Sequence, residues 1–107
     1  MEQLNKVELR GLVGHVTAKQ LGPFNRVRFS VMTEYCHRDK SGAVVIETTW
    51  HSVVAFAGSP DTKGLDGLAA GDRVFVSGRL RNSRYIDNDE AEHIRTEVFA
   101  SVVKKEN

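Results

Sequence analysis

Apolar and polar residues alternate along much of this 107-residue chain. In RVRFSVMTE (26–34), every second residue from Val27 to Val31 is apolar, and the residues between them are arginine or serine. Successive side chains of a β-strand point to opposite faces, so this pattern is typical of a strand with one face in a core. The other segments with strand character are residues 5–17, 44–56, 73–81 and 93–103. We therefore predict a mostly β structure.

One segment interrupts the strand pattern between the third and the fourth predicted strands. Ser59 followed by Pro60 favours a helix start, because serine caps a first turn and proline fits its first position. Gly64 and Gly67 each weaken a helix by up to about 1 kcal/mol relative to alanine. A short or irregular helix that ends near Gly71 is therefore expected.

Three strands, a short helix and two strands is the element order of an OB-fold, a class that binds oligonucleotides and oligosaccharides. The prediction is an all-β OB-fold: a five-stranded Greek-key barrel with a short helix between strands 3 and 4. It forms a single domain over residues 1–107. An SH3-like barrel fits less well because its helix lies elsewhere in the chain.

The composition narrows the class of protein. It is 40% hydrophobic and 27% charged, which is typical of globular proteins. No apolar run reaches the roughly 18 residues that a membrane span needs, and the N-terminus has no secretory pattern. The single cysteine, Cys36, cannot form an internal disulfide, which suits the cytoplasm. The formal net charge is +1, so a nucleic-acid site would depend on local clustering of basic residues.

No catalytic or metal-binding motif is present in the sequence. The four histidines are not paired at metal-ligand spacing, and Cys36 has no cysteine partner. Gly11 and Gly14 lack the lysine of a phosphate-binding loop. Inside a strand, these glycines instead suggest a bend, a bulge or the close approach of another backbone. We expect neither an enzyme nor a cofactor.

The segment TTWHSVVAF (48–56) carries the only tryptophan. Trp50 and Phe56 are six residues apart, so they share one face of a strand and lie about 20 Å apart. That spacing suits several splayed nucleotides, because every base can stack on an aromatic ring. Two aromatic residues at even spacing are also typical of a core. The residues alone leave both alternatives open and favour the core.

Five segments match a known family in order and in spacing. They are NKVELRGLVG (5–14), RFSVMTEYCHRDKSG (28–42), TTWHSVVAF (48–56), AAGDRVFVSGRL (69–80) and TEVFA (96–100). With these segments the chain resembles the bacterial single-stranded DNA-binding protein family. The resemblance implies an OB-fold and binding of single-stranded DNA in replication, recombination or repair. It also implies a cytoplasmic, nucleoid-associated protein that forms a homo-oligomer, a homotetramer in most members, with a dimer as the alternative.

The resemblance assigns roles to individual residues. Trp50 and Phe56 match two stacking aromatics of the family, Tyr85 falls where a third stands, and His37 replaces a frequent tryptophan. His51 points away from Trp50 and is expected to be structural, near a subunit interface. The residues themselves, independently of the resemblance, indicate which cations contact phosphates: Arg79, Arg81 and Arg84 beside Tyr85, with Arg10, Arg26, Arg28, Arg38 and Lys40 as further candidates. For these cations a solvated surface charge is the alternative interpretation.

The resemblance also leaves a second function open. Members of the family carry an acidic tail that recruits protein partners, whereas this sequence stops at Asn107. Recruitment of partners by such a tail is therefore not expected here. A tailless OB-fold dimer like bacterial primosomal replication protein N, which mainly assembles other proteins on DNA, is the alternative. The aromatic residues Trp50, Phe56 and Tyr85 favour direct DNA binding.

Overall fold

A computed structural model of the chain describes residues 1–106 as a five-stranded barrel with one short helix. The strands are β1 (Val7–Leu21), β2 (Phe24–Arg38), β3 (Val44–Phe56), β4 (Arg73–Ile86) and β5 (Glu92–Lys105), with a 3-10 helix (Pro60–Leu65) between β3 and β4. The strand order β1-β2-β3-β5-β4 closes into a barrel because β1 pairs with both β2 and β4. The predicted OB-fold is confirmed. The chain end at Asn107 lies outside the described residues.

The barrel interior is filled by small branched side chains from all five strands. Val31, Val53, Val74 and Val76 are completely buried, as is most of Phe29. The remaining members of this core are Val13, Val27, Ala55, Leu65, Val98, Ala100 and Val103. The inward positions predicted for β2 by the alternation are therefore confirmed.

Two hairpins extend beyond the barrel as arms. β2 continues to Arg38, past the predicted end near residue 34, and β4 continues to Ile86, past residue 81. The radius of gyration is 16.0 Å, against about 13 Å for a compact chain of this length. We call residues 34–48 the β2–β3 arm and residues 82–96 the β4–β5 arm. Alternation could not reveal the arms because neither of their faces lies in the core.

The glycines of β1 permit close contacts, as predicted. A Cβ on Gly11 would lie 2.1 Å from the carbonyl oxygen of Met32, so only glycine allows the two strands to approach this closely. The register between β1 and β2 shifts between Val13 and Val16, a bulge that contains Gly14.

The helix begins as predicted but ends earlier. The N–H of Asp61 donates a hydrogen bond to Oγ of the cap residue Ser59, 3.2 Å away. The expected end near Gly71 was wrong, since the helix stops at Leu65. Gly64 packs directly on β5, where a Cβ would lie 2.5 Å from the carbonyl oxygen of Val103. Among the described residues, no helix has the length and apolar character to cross a membrane.

Candidate nucleic-acid interface

Strand register places most of the predicted site residues on one outward surface. Thr17, Arg28, Val54, Phe99 and Arg79 are consecutive partners in one row that crosses all five strands. Because alternate residues of a strand share a face, the surface around this row is defined by register. We call this surface the binding face; its other members include Lys19, Arg26, Ser30, Trp50, Ser52, Phe56, Arg81, Ser83, Tyr85, Arg95 and Glu97.

Trp50 lies on this face and not in the core. The residue is 58% exposed. Its indole packs over Gly14 in the β1 bulge, where a Cβ would lie only 2.2 Å from Cζ3 of the indole. The ring borders a groove of about 460 Å³. The groove is lined by His15, Thr17, Lys19, Arg26, Arg28, Phe29, Ser30, Trp50, His51, Ser52 and Arg95.

Replacing Gly14 by alanine is expected to displace the indole of Trp50. The added methyl group would overlap the far end of the indole, which can swing away, and would also crowd Oγ of Ser30 at 2.9 Å. We expect the affinity for oligo-dT to fall about threefold to tenfold, part of the worth of one stacked base. Thermal unfolding should change by only a few degrees. Unchanged tryptophan emission and affinity would contradict this role of Gly14.

A second aromatic group lies at the other end of the β3 segment. The ring of Phe56 contacts those of Phe24 and Phe99, with centroids 6.3 Å and 5.9 Å away. The guanidinium carbons of Arg79 and Arg81 lie 4.9 Å and 4.4 Å from the centroid of Phe99. Arginine over an aromatic face is a favourable cation–π contact. The structure thus brings together Phe56, Arg79 and Arg81, three of the site residues named from the sequence.

Glu97 forms a buried ion pair in the middle of the binding face. Arg28 donates two hydrogen bonds to its carboxylate, each 3.2 Å long, and Oγ of Ser83 donates a third of 3.1 Å. Burial alone would raise the pKa of Glu97. The hydrogen bonds and charge of Arg28, with Ser83 and the charge of Arg95, instead hold this pKa below its ordinary value.

This ion pair predicts a pH dependence of stability. The pKa of Glu97 is lower in the folded state than its ordinary value of 4.5. The ionised carboxylate therefore makes its full contribution to stability when the pH is above 4.5. This contribution is lost as the pH falls through the lowered, folded-state pKa. Glu97→Gln should lower the free energy of unfolding at pH 7 by about 1–3 kcal/mol, the cost of under-satisfied buried groups. In urea titrations, the difference from the wild type should shrink on acidification; parallel curves down to pH 2 would contradict this.

Tyr85 lies on the same face, on the β4–β5 arm, with partners already on its ring. His93 stacks on it at 5.1 Å between centroids, and Cζ of Arg95 lies 4.8 Å from its centroid. His93 also hydrogen-bonds Asp87, and this bond, followed by backbone N–H groups of the turn, lowers the pKa of Asp87. These contacts hold the ring of Tyr85 in a fixed orientation on the binding face.

Two predicted site residues lie on the opposite side of the arms. In the β2–β3 register, His37 pairs with Val45 and therefore points away from Trp50, which pairs with Met32. Its ring stacks on Tyr35 with centroids 5.7 Å apart. Arg84 pairs across the β4–β5 arm with Ile94, on the side opposite Tyr85, and forms an ion pair of 3.1 Å with Glu92. The structure does not bring His37 or Arg84 to the binding face.

Two further candidates, Arg10 and Lys40, also lie outside the binding face. Nε of Arg10 donates to Glu106, just beyond β5, at 2.7 Å, and its guanidinium covers the ring of Phe75, its partner on β4. Lys40 is exposed in the turn at the tip of the β2–β3 arm. His51, predicted to be structural, shares a hydrogen bond of 2.7 Å with Thr33.

Several residues of the face were not predicted from the sequence. They are Gly14, Lys19, Phe24, Arg95, Glu97 and Phe99. The signal for Phe99 was available, since it alternates with the buried Val98 and Ala100. The basic residues cluster on the binding face although the net charge of the chain is only +1. The carboxylate of Glu97, at the centre of this cluster, is buried. Within residues 1–106, no group of three or more His, Cys, Asp or Glu side chains is arranged to hold a metal.

Comparison with known proteins identifies the family. Residues 4–105 match the single-strand binding protein family. This chain belongs to that family. The single-stranded DNA-binding protein 1 of Xylella fastidiosa is 33% identical over 104 residues, covering 94% of this chain and 75% of the relative. The single-stranded DNA-binding protein of Xanthomonas campestris is 31% identical over 100 residues, covering 92% of this chain and 58% of that protein. The resemblance drawn from the sequence is confirmed.

Solved structures of single-strand binding proteins have the same architecture. A Plasmodium falciparum SSB in complex with single-stranded DNA superposes with a TM-score of 0.79 at 25% identity, covering 100% of this chain and 98% of that chain. A small single-stranded DNA-binding protein of Streptomyces coelicolor gives a TM-score of 0.68 at 21% identity, covering 99% of this chain and 96% of that one. The second likeness concerns the fold alone.

Proposed function

We propose that this chain binds single-stranded DNA with little sequence preference through the binding face. The observation that carries the proposal is one continuous surface with two aromatic stations and arginines between them. The exposed indole of Trp50 is one station, and the rings of Phe24, Phe56 and Phe99 are the other. Aromatic platforms joined by cations are how proteins hold single strands without reading the sequence.

The two stations support a path for the strand along β3. Bases stack on Trp50 at one end and on Phe56 at the other, about 20 Å away for six residues of extended chain. Arg28 and Arg81 lie between the stations, where they can meet phosphates. The family assignment and the DNA-bound Plasmodium relative support the same ligand class.

The cellular role follows from this ligand. Residues 1–107 act as one binding domain that covers unpaired DNA in the cytoplasm, at the nucleoid, during replication, recombination or repair. The chain acts as a homo-oligomer, a tetramer or a dimer, and as a binding protein without catalysis. Gel filtration with light scattering measures the oligomeric state. A monomer at micromolar concentration would contradict the proposed homo-oligomer.

Fluorescence anisotropy tests the ligand. A labelled dT oligomer of about 30 nucleotides should bind at 0.1 M salt, whereas a duplex of the same length should bind at least about tenfold more weakly, because its bases are not free to stack. Equal affinity for the duplex would contradict binding by stacking. No DNA binding by a dimeric protein would favour the alternative of an assembly factor.

A further inference from the structure

An acidic side chain occupies the centre of a surface that is otherwise cationic. Glu97 points outward from β5, and its side chain is 0% exposed beneath the arginines that surround it. Besides its two hydrogen bonds from Arg28, its Oε1 lies 3.9 Å from Nη2 of Arg81. A carboxylate here reduces the positive potential that attracts a polyanion. Its presence on a DNA-binding surface is therefore unexpected on charge alone.

We propose that Glu97 is a positioning residue that fixes Arg28 and Arg81 as a pair of guanidinium groups for the phosphates of the bound strand. It acts through the arginines and does not touch the DNA. The inference rests on the proposed function of the binding face.

The contacts of Arg28 leave it able to bind a phosphate. Its guanidinium carries five N–H donors in a rigid fork, and Glu97 takes two of them. The side chain of Arg28 remains 27% exposed. A free arginine loses side-chain entropy when it binds a phosphate, and an arginine already held in place loses less. Holding Arg28 in advance therefore favours binding.

Arg81 is held by a different set of contacts. Its guanidinium lies over Phe99 and near Glu97, yet its Nε is buried without a hydrogen-bond partner among the described residues. Packing and charge, rather than hydrogen bonds to Glu97, set its position. Its side chain is 38% exposed, so the Nη groups can reach a ligand. Without the charge of Glu97, two arginines would repel each other at this site.

The location of the pair fits the backbone of a strand that stacks at both stations. Arg28 lines the groove beside Trp50 and belongs to the same cross-strand row as Phe99 of the second station. A strand whose bases lie on both stations must pass its phosphodiester backbone between them. The ligand group assigned to this pair is therefore a phosphodiester.

Glu97→Gln gives a test in which the loss of charge and the loss of positioning predict opposite changes in the affinity for DNA. Glutamine keeps the size and one oxygen but removes the negative charge, so simple electrostatics predicts tighter binding. The positioning role predicts an affinity for oligo-dT about tenfold weaker, the equivalent of one charge-assisted hydrogen bond. The matched control is Glu92→Gln, which removes an exposed charge from the other side of the β4–β5 arm and should leave the affinity equal or slightly higher. Tighter binding by Glu97→Gln would overturn the proposal.

Arg28→Lys keeps the proposal testable if Glu97→Gln folds poorly. Arg28→Lys retains the charge but loses the fork, so it should weaken binding severalfold. In a double-mutant cycle, Glu97→Gln should weaken binding much less once Arg28 is alanine, because most of its effect passes through that arginine and only the contact with Arg81 remains. Wild-type affinity in Arg28→Lys, or fully additive losses in the cycle, would contradict it. Failure of the wild type to bind oligo-dT would instead refute the proposed function itself.

Discussion

Trp50→Ala is expected to weaken binding of oligo-dT by roughly 5- to 150-fold, which corresponds to the loss of about 1–3 kcal/mol from one stacked base. The fold should be unaffected, because Trp50 is 58% exposed and is not part of the barrel core. Anisotropy titrations with a labelled oligomer measure the change. Circular dichroism checks that the variant is folded.

The matched control for this prediction is Tyr35→Ala. Tyr35, on the β2–β3 arm, is another exposed aromatic residue, at 65% exposure, but it lies on the face opposite Trp50. We expect its removal to leave the affinity within about twofold of the wild type. Equal losses in the two variants would contradict the assignment of the binding face.

Salt should weaken binding steeply. For single strands, log K falls with log salt with a slope of about −0.7 for each phosphate neutralised. The binding face carries Lys19, Arg26, Arg28, Arg79, Arg81 and Arg95, partly offset by Glu97. With four to six of these charges engaged, affinity should fall roughly 50- to 300-fold between 50 and 200 mM salt.

Two arginines only five positions apart provide the control for the salt prediction. Arg79 lies on the binding face over Phe99, whereas Arg84 lies on the other side of its arm with Glu92. Arg79→Ala should make the slope of log K against log salt less negative by about 0.7, and Arg84→Ala should leave the slope unchanged. Equal slopes in the two variants would mean that the DNA does not distinguish the two faces.

Alternation predicted which residues share a strand face but not which of them are exposed to solvent. Trp50 and Val54 lie on the same side of β3, yet Trp50 is exposed and Val54 is completely buried. Val54 pairs with Arg28 on one neighbouring strand and with Phe99 on the other, so two larger side chains flank it. Such cover depends on residues distant in sequence. The same limit applies to Gly14, whose role appears only when the indole is seen packed over it.

Hairpin register explains the outcome for His37 and Arg84. The turn after β2 is closed by the carboxylate of Asp39, which accepts hydrogen bonds from the N–H groups of Ser41 and Ala43. This turn sets the register that turns His37 away from Trp50, and a shift of one residue would reverse it. The position of Arg84 was not predicted either, because it lies on the β4–β5 arm, beyond the predicted strand end at residue 81. It has the opposite parity to Arg79, Arg81 and Tyr85 along one strand.

The most direct test of the central claim follows tryptophan emission during titration of the wild type with oligo-dT. Trp50 is the only tryptophan in the chain, so the signal reports one position of the binding face. Stacking of a base on the indole predicts strong quenching that saturates with DNA and reverses on addition of salt. Emission that stays unchanged while anisotropy shows the oligomer fully bound would contradict the account, because the strand would then lie elsewhere on the protein.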